Sequence, residues 1–190
     1  MKKVILVHRW EGNPNNCWFP WLKKELEKMK FKVTALKMPN PEEPKIKEWV
    51  EFMQKNIKNV DQETYFVGHS IGCQTIMRYL ETLDGKTKIG GLIFVAGFFN
   101  LPNLETEEER EIAKSWLETK INTDKIKLMT NHIVAIFSDN DPFVPLEDTK
   151  LFKKRLNAEI IIKKNKGHFS DDAGIIKLPV VIEQIKKWQT

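Results

Sequence analysis

The chain has 190 residues, of which 41% are hydrophobic and 30% are charged, a composition typical of one globular domain. No apolar run approaches the roughly 18 residues of a membrane span, and the N-terminal run VILVH is too short for a signal peptide. The net charge is +5, yet lysines alternate with glutamates, as in LKKELEKMK, and no nucleic-acid motif accompanies them. We therefore expect one cytoplasmic domain over residues 1–190, with no membrane, nucleic-acid or obligate protein partner.

Six short apolar segments predict β-strands, and amphipathic stretches between them predict helices. The predicted strands are VILVH (4–8), FKVTALK (31–37), TYFVG (64–68), GLIFVAG (91–97), HIVAIFS (132–138) and AEIIIKK (158–164). Residues 98–130 are less regular, and we expect one or two short helices and a small lid there, with an exposed helix start in the acidic stretch 105–111. Strands alternating with helices predict an α/β fold with a mostly parallel sheet and helices on both faces. Ligands of such sheets bind beyond the carboxyl ends of the strands.

The third predicted strand ends in Gly68-His69-Ser70-Ile71-Gly72, and a helical pattern follows at once. A serine on a tight strand-to-helix turn adopts strained backbone angles, and its neighbours two positions away must be small. Such a turn holds the hydroxyl clear of the sheet at the start of a helix, where negative charge is favoured. The motif is moderately specific by itself, and its strand-turn-helix context strengthens it. Ser70 is therefore a candidate nucleophile.

A serine hydroxyl needs a base, and His168 follows the last predicted strand, in the chain order Ser, Asp, His. The other histidines fit this role less well. His69 lies inside the turn with its side chain directed away from that of Ser70, and His132 begins a strand at the wrong edge of the sheet. His8 ends the first strand, and we expect it to support the following loop.

The base needs an acid to fix its tautomer, and the fifth strand is followed by two candidates, Asp139 and Asp141. One of them could instead cap the next helix, so the residues alone leave the choice open. The oxyanion needs N–H donors. One is expected from the backbone of Ile71, directly after the nucleophile, and the second from the loop at 8–12.

No metal or cofactor is expected. The histidines are scattered without metal-ligand spacing, and Cys17 and Cys73 lack a CxxC spacing. Acyl transfer through a serine requires neither.

Several stretches together resemble a known family. They are NNCWFPWLKKEL, LKMPNPEEPKIKEW, VGHSIGC, GGLIFVAGF, SDNDPFVP and GHF, and they run nearly from end to end of the chain. They are similar to the small serine hydrolases with an α/β-hydrolase fold that include YdeN-like proteins and retinoblastoma-binding protein 9. The resemblance implies a reduced, six-stranded sheet lacking the two N-terminal strands of larger relatives.

The resemblance also implies roles for individual residues. Matching positions make Ser70 the nucleophile, His168 the base and Asp141 the acid, since the family's acid precedes a P-x-V-P-like turn. The chain departs from the common His-Gly after the first strand, because it has Arg9 there. The second oxyanion donor is then the N–H of Arg9 or Trp10, and we favour Trp10.

The function expected on these grounds is that of a carboxylesterase-like enzyme acting on small esters, with thioesters or amides as alternative substrates. The alternative is a catalytically weak protein of the same fold that acts mainly as an interaction module. Apolar residues after the strand ends could wall a compact pocket that favours short acyl groups. The expected pocket residues are Arg9, Trp10, Phe98, Phe143 and Phe169, with Phe99 nearby.

Overall fold

The computed structural model describes residues 1–189, and a sheet of six parallel strands forms its centre. The strands are β1 (Lys3–Val7), β2 (Lys32–Leu36), β3 (Thr64–His69), β4 (Gly91–Val95), β5 (Ile133–Ser138) and β6 (Glu159–Lys163). They lie in the order β2-β1-β3-β4-β5-β6, and every neighbouring pair is parallel. The six predicted strands are confirmed, and their sheet is wholly rather than mostly parallel.

Helices connect the strands as predicted. They are α1 (Phe19–Lys28), α2 (Ile46–Asn56), α3 (Ile71–Glu81), α4 (Glu107–Glu118), α5 (Thr123–Lys127), α6 (Asp148–Leu156) and α7 (Pro179–Lys187). Both α1 and α7 carry proline in the first turn, where its missing N–H costs nothing. Across residues 1–189, none of the helices is long and apolar enough to span a bilayer.

Each face of the sheet carries its own apolar core, because side chains alternate along every strand. On β1, Val4 and Leu6 belong to one core, while Ile5 and Val7 belong to the other. Helices α1 and α7 cover the first core, and α2, α3, α4, α5 and α6 contribute side chains to the second. Burial on both faces explains why β3, β4 and β5 are continuous apolar runs in the sequence.

The direction of strand addition reverses at β1. The chain passes from β1 through α1 to β2 at one edge, returns through α2 to β3, and then proceeds strand by strand to β6 at the other edge. The loops leaving β1 and β3 therefore diverge, which opens a crevice at their carboxyl ends. Residues 8–12 and the turn at Ser70 border this crevice.

The segment between β4 and β5, residues 98–130, will be called the cover segment. It contains α4 and α5. A capping box begins α4: Glu109 N donates to Thr106 Oγ1 at 3.1 Å, and Thr106 N donates to Glu109 Oε2 at 2.9 Å. These two bonds satisfy N–H groups that a helix start otherwise leaves unpaired. The helix start predicted within residues 105–111 is confirmed.

Candidate active site

Ser70 occupies a sharp turn between β3 and α3. Its backbone angles are φ 55° and ψ −120°, a conformation that residues other than glycine rarely adopt. The flanking glycines are required by close backbone contacts. A Cβ at Gly68 would lie 2.7 Å from the backbone nitrogen of Cys73, and one at Gly72 would lie 2.7 Å from the carbonyl oxygen of His8. The turn therefore presses the start of α3 against both β3 and the end of β1.

His168 and Asp141 are hydrogen-bonded to each other. The Nδ1 atom of His168 lies 2.9 and 3.0 Å from the two carboxylate oxygens of Asp141, and the Asp141 side chain is only 2% exposed. The same carboxylate accepts from the backbone N–H groups of Phe143 and Val144, at 3.0 and 3.1 Å. Three donors thus hold the Asp141 carboxylate in one orientation.

Asp139, the competing acid, has a different partner. Its carboxylate accepts from the backbone N–H of Asn165 at 2.8 Å. Of the two aspartates, the structure brings Asp141 to His168 and uses Asp139 to hold the loop that precedes His168.

Two further residues hold the loop after β6, and the sequence reasoning did not single them out: Ser138 at the end of β5 and Asn140 in the loop that follows. Asn140 Oδ1 accepts from the N–H of Gly167 at 2.9 Å and from the hydroxyl of Ser138 at 2.8 Å. The Ser138 hydroxyl in turn accepts from the N–H of Lys166 at 2.9 Å. The run Ser-Asp-Asn-Asp was the available signal, because short polar side chains of this kind commonly bond to nearby backbone.

A cavity of about 120 Å³ opens beside Ser70 and His168. Its wall also includes Arg9, Trp10, Glu11, Ile71, Phe98, Leu101, Leu104, Glu109 and Phe143. Most of the expected pocket residues are therefore together, with apolar side chains over much of the wall. Sequence reasoning missed Glu11, Leu101, Leu104 and Glu109, which come from the loop after β1 and from the cover segment.

Phe169 does not line this cavity, contrary to the sequence prediction. It is fully buried in the core beneath α1 and α7, on the other side of the loop. Its φ of +54° explains the difference, since a left-handed residue directs its side chain away from the course that an extended one would give. Phe99 also lies elsewhere, with its ring centroid 4.8 Å from that of Phe152 and the two ring planes tilted by 47°.

The backbone at the root of the cover segment is fixed by buried polar side chains. Gln74 Nε2 donates to the carbonyl of Phe98 at 3.0 Å. The fully buried carboxylate of Asp148 accepts from the N–H groups of Phe99 and Asn100. These bonds set the position from which Phe98 reaches the cavity.

Two buried histidines support the site without lining the cavity. His8 Nε2 accepts from the N–H of Met38 at 3.0 Å, which leaves Nδ1–H to donate to the Arg9 carbonyl at 2.8 Å. His69 Nε2 lies 2.8 Å from the carbonyl oxygen of His168. Burial lowers the pKa of His8 and lowers that of His69 well below its ordinary value, with further lowering from the nearby His168. Both rings are therefore neutral at physiological pH.

No group of three or more His, Cys, Asp or Glu side chains in residues 1–189 has the geometry of a metal site. His132 stacks on Trp188 with ring centroids 5.3 Å apart, at the opposite end of the sheet. At the carboxyl edge, His168 and Asp141 lie together beside the cavity that contains Ser70.

Comparison with known proteins finds relatives over nearly the whole chain. A sequence model described as "Serine hydrolase" matches residues 4–187. The putative hydrolase YdeN of Bacillus subtilis is 31% identical over 188 residues, covering 98% of this chain and 96% of YdeN. The serine hydrolase RBBP9 of Rattus norvegicus is 30% identical over 172 residues, covering 90% of this chain and 88% of RBBP9.

Solved structures with the same fold are also found. The crystal structure of the ydeN gene product from B. subtilis superposes with a TM-score of 0.91 at 30% identity, covering 99% of this chain and 98% of that chain. Est1E from Butyrivibrio proteoclasticus, solved with ferulic acid, gives a TM-score of 0.69 at 16% identity, covering 98% of this chain and 90% of that chain. At that identity the second match shows the fold alone.

The fold is that of the α/β-hydrolases, with a serine on a strained turn at the carboxyl edge of a parallel sheet. The chain belongs to the serine hydrolase family.

Proposed function

We propose that this protein is a carboxylesterase-like enzyme that cleaves small esters through an acyl-serine intermediate. Ser70 Oγ attacks the ester carbonyl carbon while His168 takes the hydroxyl proton. The protonated His168 then gives that proton to the departing alcohol as the carbon–oxygen bond breaks. Water then attacks the acyl carbon while His168 takes a proton from it. The bond between that carbon and Ser70 Oγ breaks, the acid leaves, and His168 returns the proton to Ser70 Oγ.

The observation that carries the proposal is the bond between His168 and Asp141 beside the cavity that contains Ser70. Because Nδ1 of His168 is engaged by the Asp141 carboxylate, the ring's other nitrogen, Nε2, is the one left to exchange a proton with Ser70. The carboxylate also stabilises the imidazolium that forms in each step.

The negative charge that develops on the carbonyl oxygen requires donors. Ile71 is the first residue of α3, so its N–H has no partner within the helix, and the helix dipole favours an anion there. We assign the second donor to the N–H of Trp10, whose residue lines the same cavity after β1. Removing one such donor from other enzymes lowers kcat by about 10²- to 10³-fold.

The size of the cavity supports a preference for small substrates. An engineered cavity of about 150 Å³ in another protein holds one benzene molecule. The cavity here, about 120 Å³, is of the size of an acyl chain of a few carbons. Each methylene left outside forgoes about 0.8 kcal/mol of burial, so acyl groups from acetyl to butyryl should be preferred over long ones.

Two measurements on the purified protein test this proposal. A fluorophosphonate probe should label Ser70, and the Ser70→Ala variant should remain unlabelled. A series of nitrophenyl esters from two to sixteen carbons should give the highest kcat/KM between two and four carbons. A folded wild-type protein that neither binds the probe nor hydrolyses any ester would favour the interaction-module alternative. A maximum at eight carbons or beyond would refute the short-chain preference while leaving the enzyme class intact.

We propose the cytoplasm as the site of action. Cys17 and Cys73 are both free thiols, as expected in a reducing compartment. Fractionation of cells expressing the protein would test this directly, and recovery of the protein outside the cytoplasmic fraction would contradict it.

A further inference from the structure

His69 directly precedes Ser70 in the chain, and its side chain contacts the backbone of His168. It ends β3 and is only 1% exposed. Its ring contacts two other rings, with centroid distances of 5.6 Å to Trp18 and 5.4 Å to His168. The ring is thus confined by packing, and its direction is set by the strand rather than by a flexible loop.

The polar contact of this ring determines its tautomer. Nε2 lies 2.8 Å from the backbone carbonyl oxygen of His168. A carbonyl oxygen only accepts hydrogen bonds, so the Nε2 atom carries the proton and donates it. Burial, which keeps the ring neutral, leaves Nδ1 without a proton.

The carbonyl that His69 holds belongs to an unusual stretch of backbone. His168 lies between two residues with left-handed conformations, Gly167 at φ +49° and Phe169 at φ +54°. The N–H of Phe169 donates to the carbonyl of Lys166 at 2.9 Å, closing a tight turn around His168. A backbone of this kind persists only where its surroundings fix it.

Two sets of contacts hold His168. Asp141 binds the ring at Nδ1, and the loop after β5 binds the preceding N–H groups of Lys166 and Gly167. The peptide that follows the ring is held by His69. Rotation of that peptide would swing the Cα–Cβ bond of His168 and move the ring relative to Ser70, even with the bond to Asp141 retained.

We propose that His69 is a positioning residue for the reaction, which fixes the backbone of His168 and so places its ring against Ser70. The inference rests on the proposed role of His168 as general base. It gives a chemical reason for a histidine directly before the serine. The nucleophile and the anchor of its base are adjacent residues of one strand end, so the turn that places Ser70 also places His168.

The test compares two substitutions that differ in reach. In His69→Gln, the side-chain amide nitrogen can take the place of Nε2, whereas in His69→Asn the shorter side chain cannot reach the His168 carbonyl. We expect His69→Asn to lower kcat for a nitrophenyl butyrate substrate by about 10- to 100-fold, with KM changed less than twofold, as misplacement of a catalytic group by about 1 Å does elsewhere. His69→Gln should retain kcat within about threefold.

A spectroscopic signature separates positioning from a loss of packing. In the ¹H NMR spectrum, the N–H shared by His168 and Asp141 should give a far-downfield resonance that persists in His69→Gln and is broadened or lost in His69→Asn. Thermal unfolding of both variants measures any loss of packing, which a merely structural role would make equal in the two.

Equal kcat losses in the two variants, or an unchanged kcat in a folded His69→Asn, would overturn the proposal. A measurement on the unaltered protein applies even if a variant fails to fold. The ¹⁵N shifts of His69 should show the proton on Nε2, and a proton on Nδ1 instead would refute the contact. Because these shifts do not depend on turnover, they test the positioning even if no ester is hydrolysed.

Discussion

The loops after β5 and β6 and the cover segment after β4 border the same cavity, but they are held in different ways. Ser138, Asn140 and Asp141 bind three consecutive residues of the other loop, 166–168, across 27 to 28 positions of sequence. Beyond the root of the cover segment at Phe98, in the cavity-lining stretch 101–109, the capping box binds the chain to itself. One bond there reaches another loop, from Asn103 Nδ2 to the carbonyl of Pro142 at 3.0 Å.

The two ways of holding the chain correspond to two roles, the placement of the reacting groups and the selection of substrate. Long-range bonds between the strand-end loops fix the reacting groups, for which displacements of about 1 Å matter. The cover segment supplies Leu101, Leu104 and Glu109 from a stretch held mainly by local bonds. We therefore expect changes in the strand-end loops to alter the rate, and changes in the cover segment to alter the choice of substrate.

The largest effect should come from the strand-end loops. Asp141→Asn keeps the shape of the side chain but can present an N–H where His168 Nδ1–H must donate, so kcat should fall by about 10⁴-fold, as for an analogous acid elsewhere. Asp139→Asn is the matched control, two residues away on the same loop. It should retain activity within a few fold, because an amide oxygen can still accept from the N–H of Asn165. Steady-state kinetics of the two variants would refute the assignment if their losses were reversed.

An effect of intermediate size is expected on the free energy of unfolding at acidic pH, and it arises from two histidines at the strand ends. The pKa values of His8 and His69 are lowered by burial, so below the ordinary value of about 6.5 the unfolded chain takes up protons that the folded chain excludes. Their contribution to stability is complete above pH 6.5 and declines as the pH falls. Between pH 7.5 and 5.5, the free energy of unfolding should decrease by about 1 to 3 kcal/mol.

Urea unfolding at several pH values measures this decrease. His69→Gln removes one of the two titrating rings and should make the pH dependence shallower over the same range. A wild-type free energy of unfolding that stays constant from pH 7.5 to 5.5 would contradict the prediction.

The smallest effect should come from the cover segment and should concern selectivity. Glu109 lines the cavity, and the hydrogen bonds from the backbone N–H groups of Thr106 and then Glu105 lower the pKa of its carboxyl group, so it is ionised at neutral pH. A negative charge at the wall disfavours a substrate that carries a carboxylate. Glu109→Gln retains the capping acceptor and should raise kcat/KM for a hemisuccinate ester about two- to fivefold, in line with the weak interactions of exposed charges.

The neutral butyrate ester should be unaffected by the same change. Glu108→Gln is the matched control, since Glu108 lies on the same helix turn but not in the cavity wall. An equal gain for both esters, or an equal gain in the control, would show that Glu109 does not act through its charge.

Most of the fold could be predicted from the sequence, because burial on both faces makes the central strands continuous apolar runs. The turn at Ser70 could be predicted as well, since glycines at 68 and 72 follow from contacts that any side chain would violate. Phe169 could not be placed, because its left-handed conformation depends on the surrounding loops rather than on its own preference. The contributions of Leu104 and Glu109 depend on how an irregular segment folds back, which periodicity does not encode.

Gly72 is a position of the Ser70 turn at which no other amino acid fits. Every other amino acid adds a Cβ atom, and at this position that atom would meet the carbonyl groups of Val7 and His8, which are backbone and cannot rotate aside as a side chain can. No choice of side chain chemistry relieves the contact, so substitution would require β1 to move away from α3. The loop after β1, which carries Trp10, would move with it. A substitution at Glu109 exchanges a side chain of the cavity wall without moving the sheet, whereas at position 72 every amino acid other than glycine meets backbone.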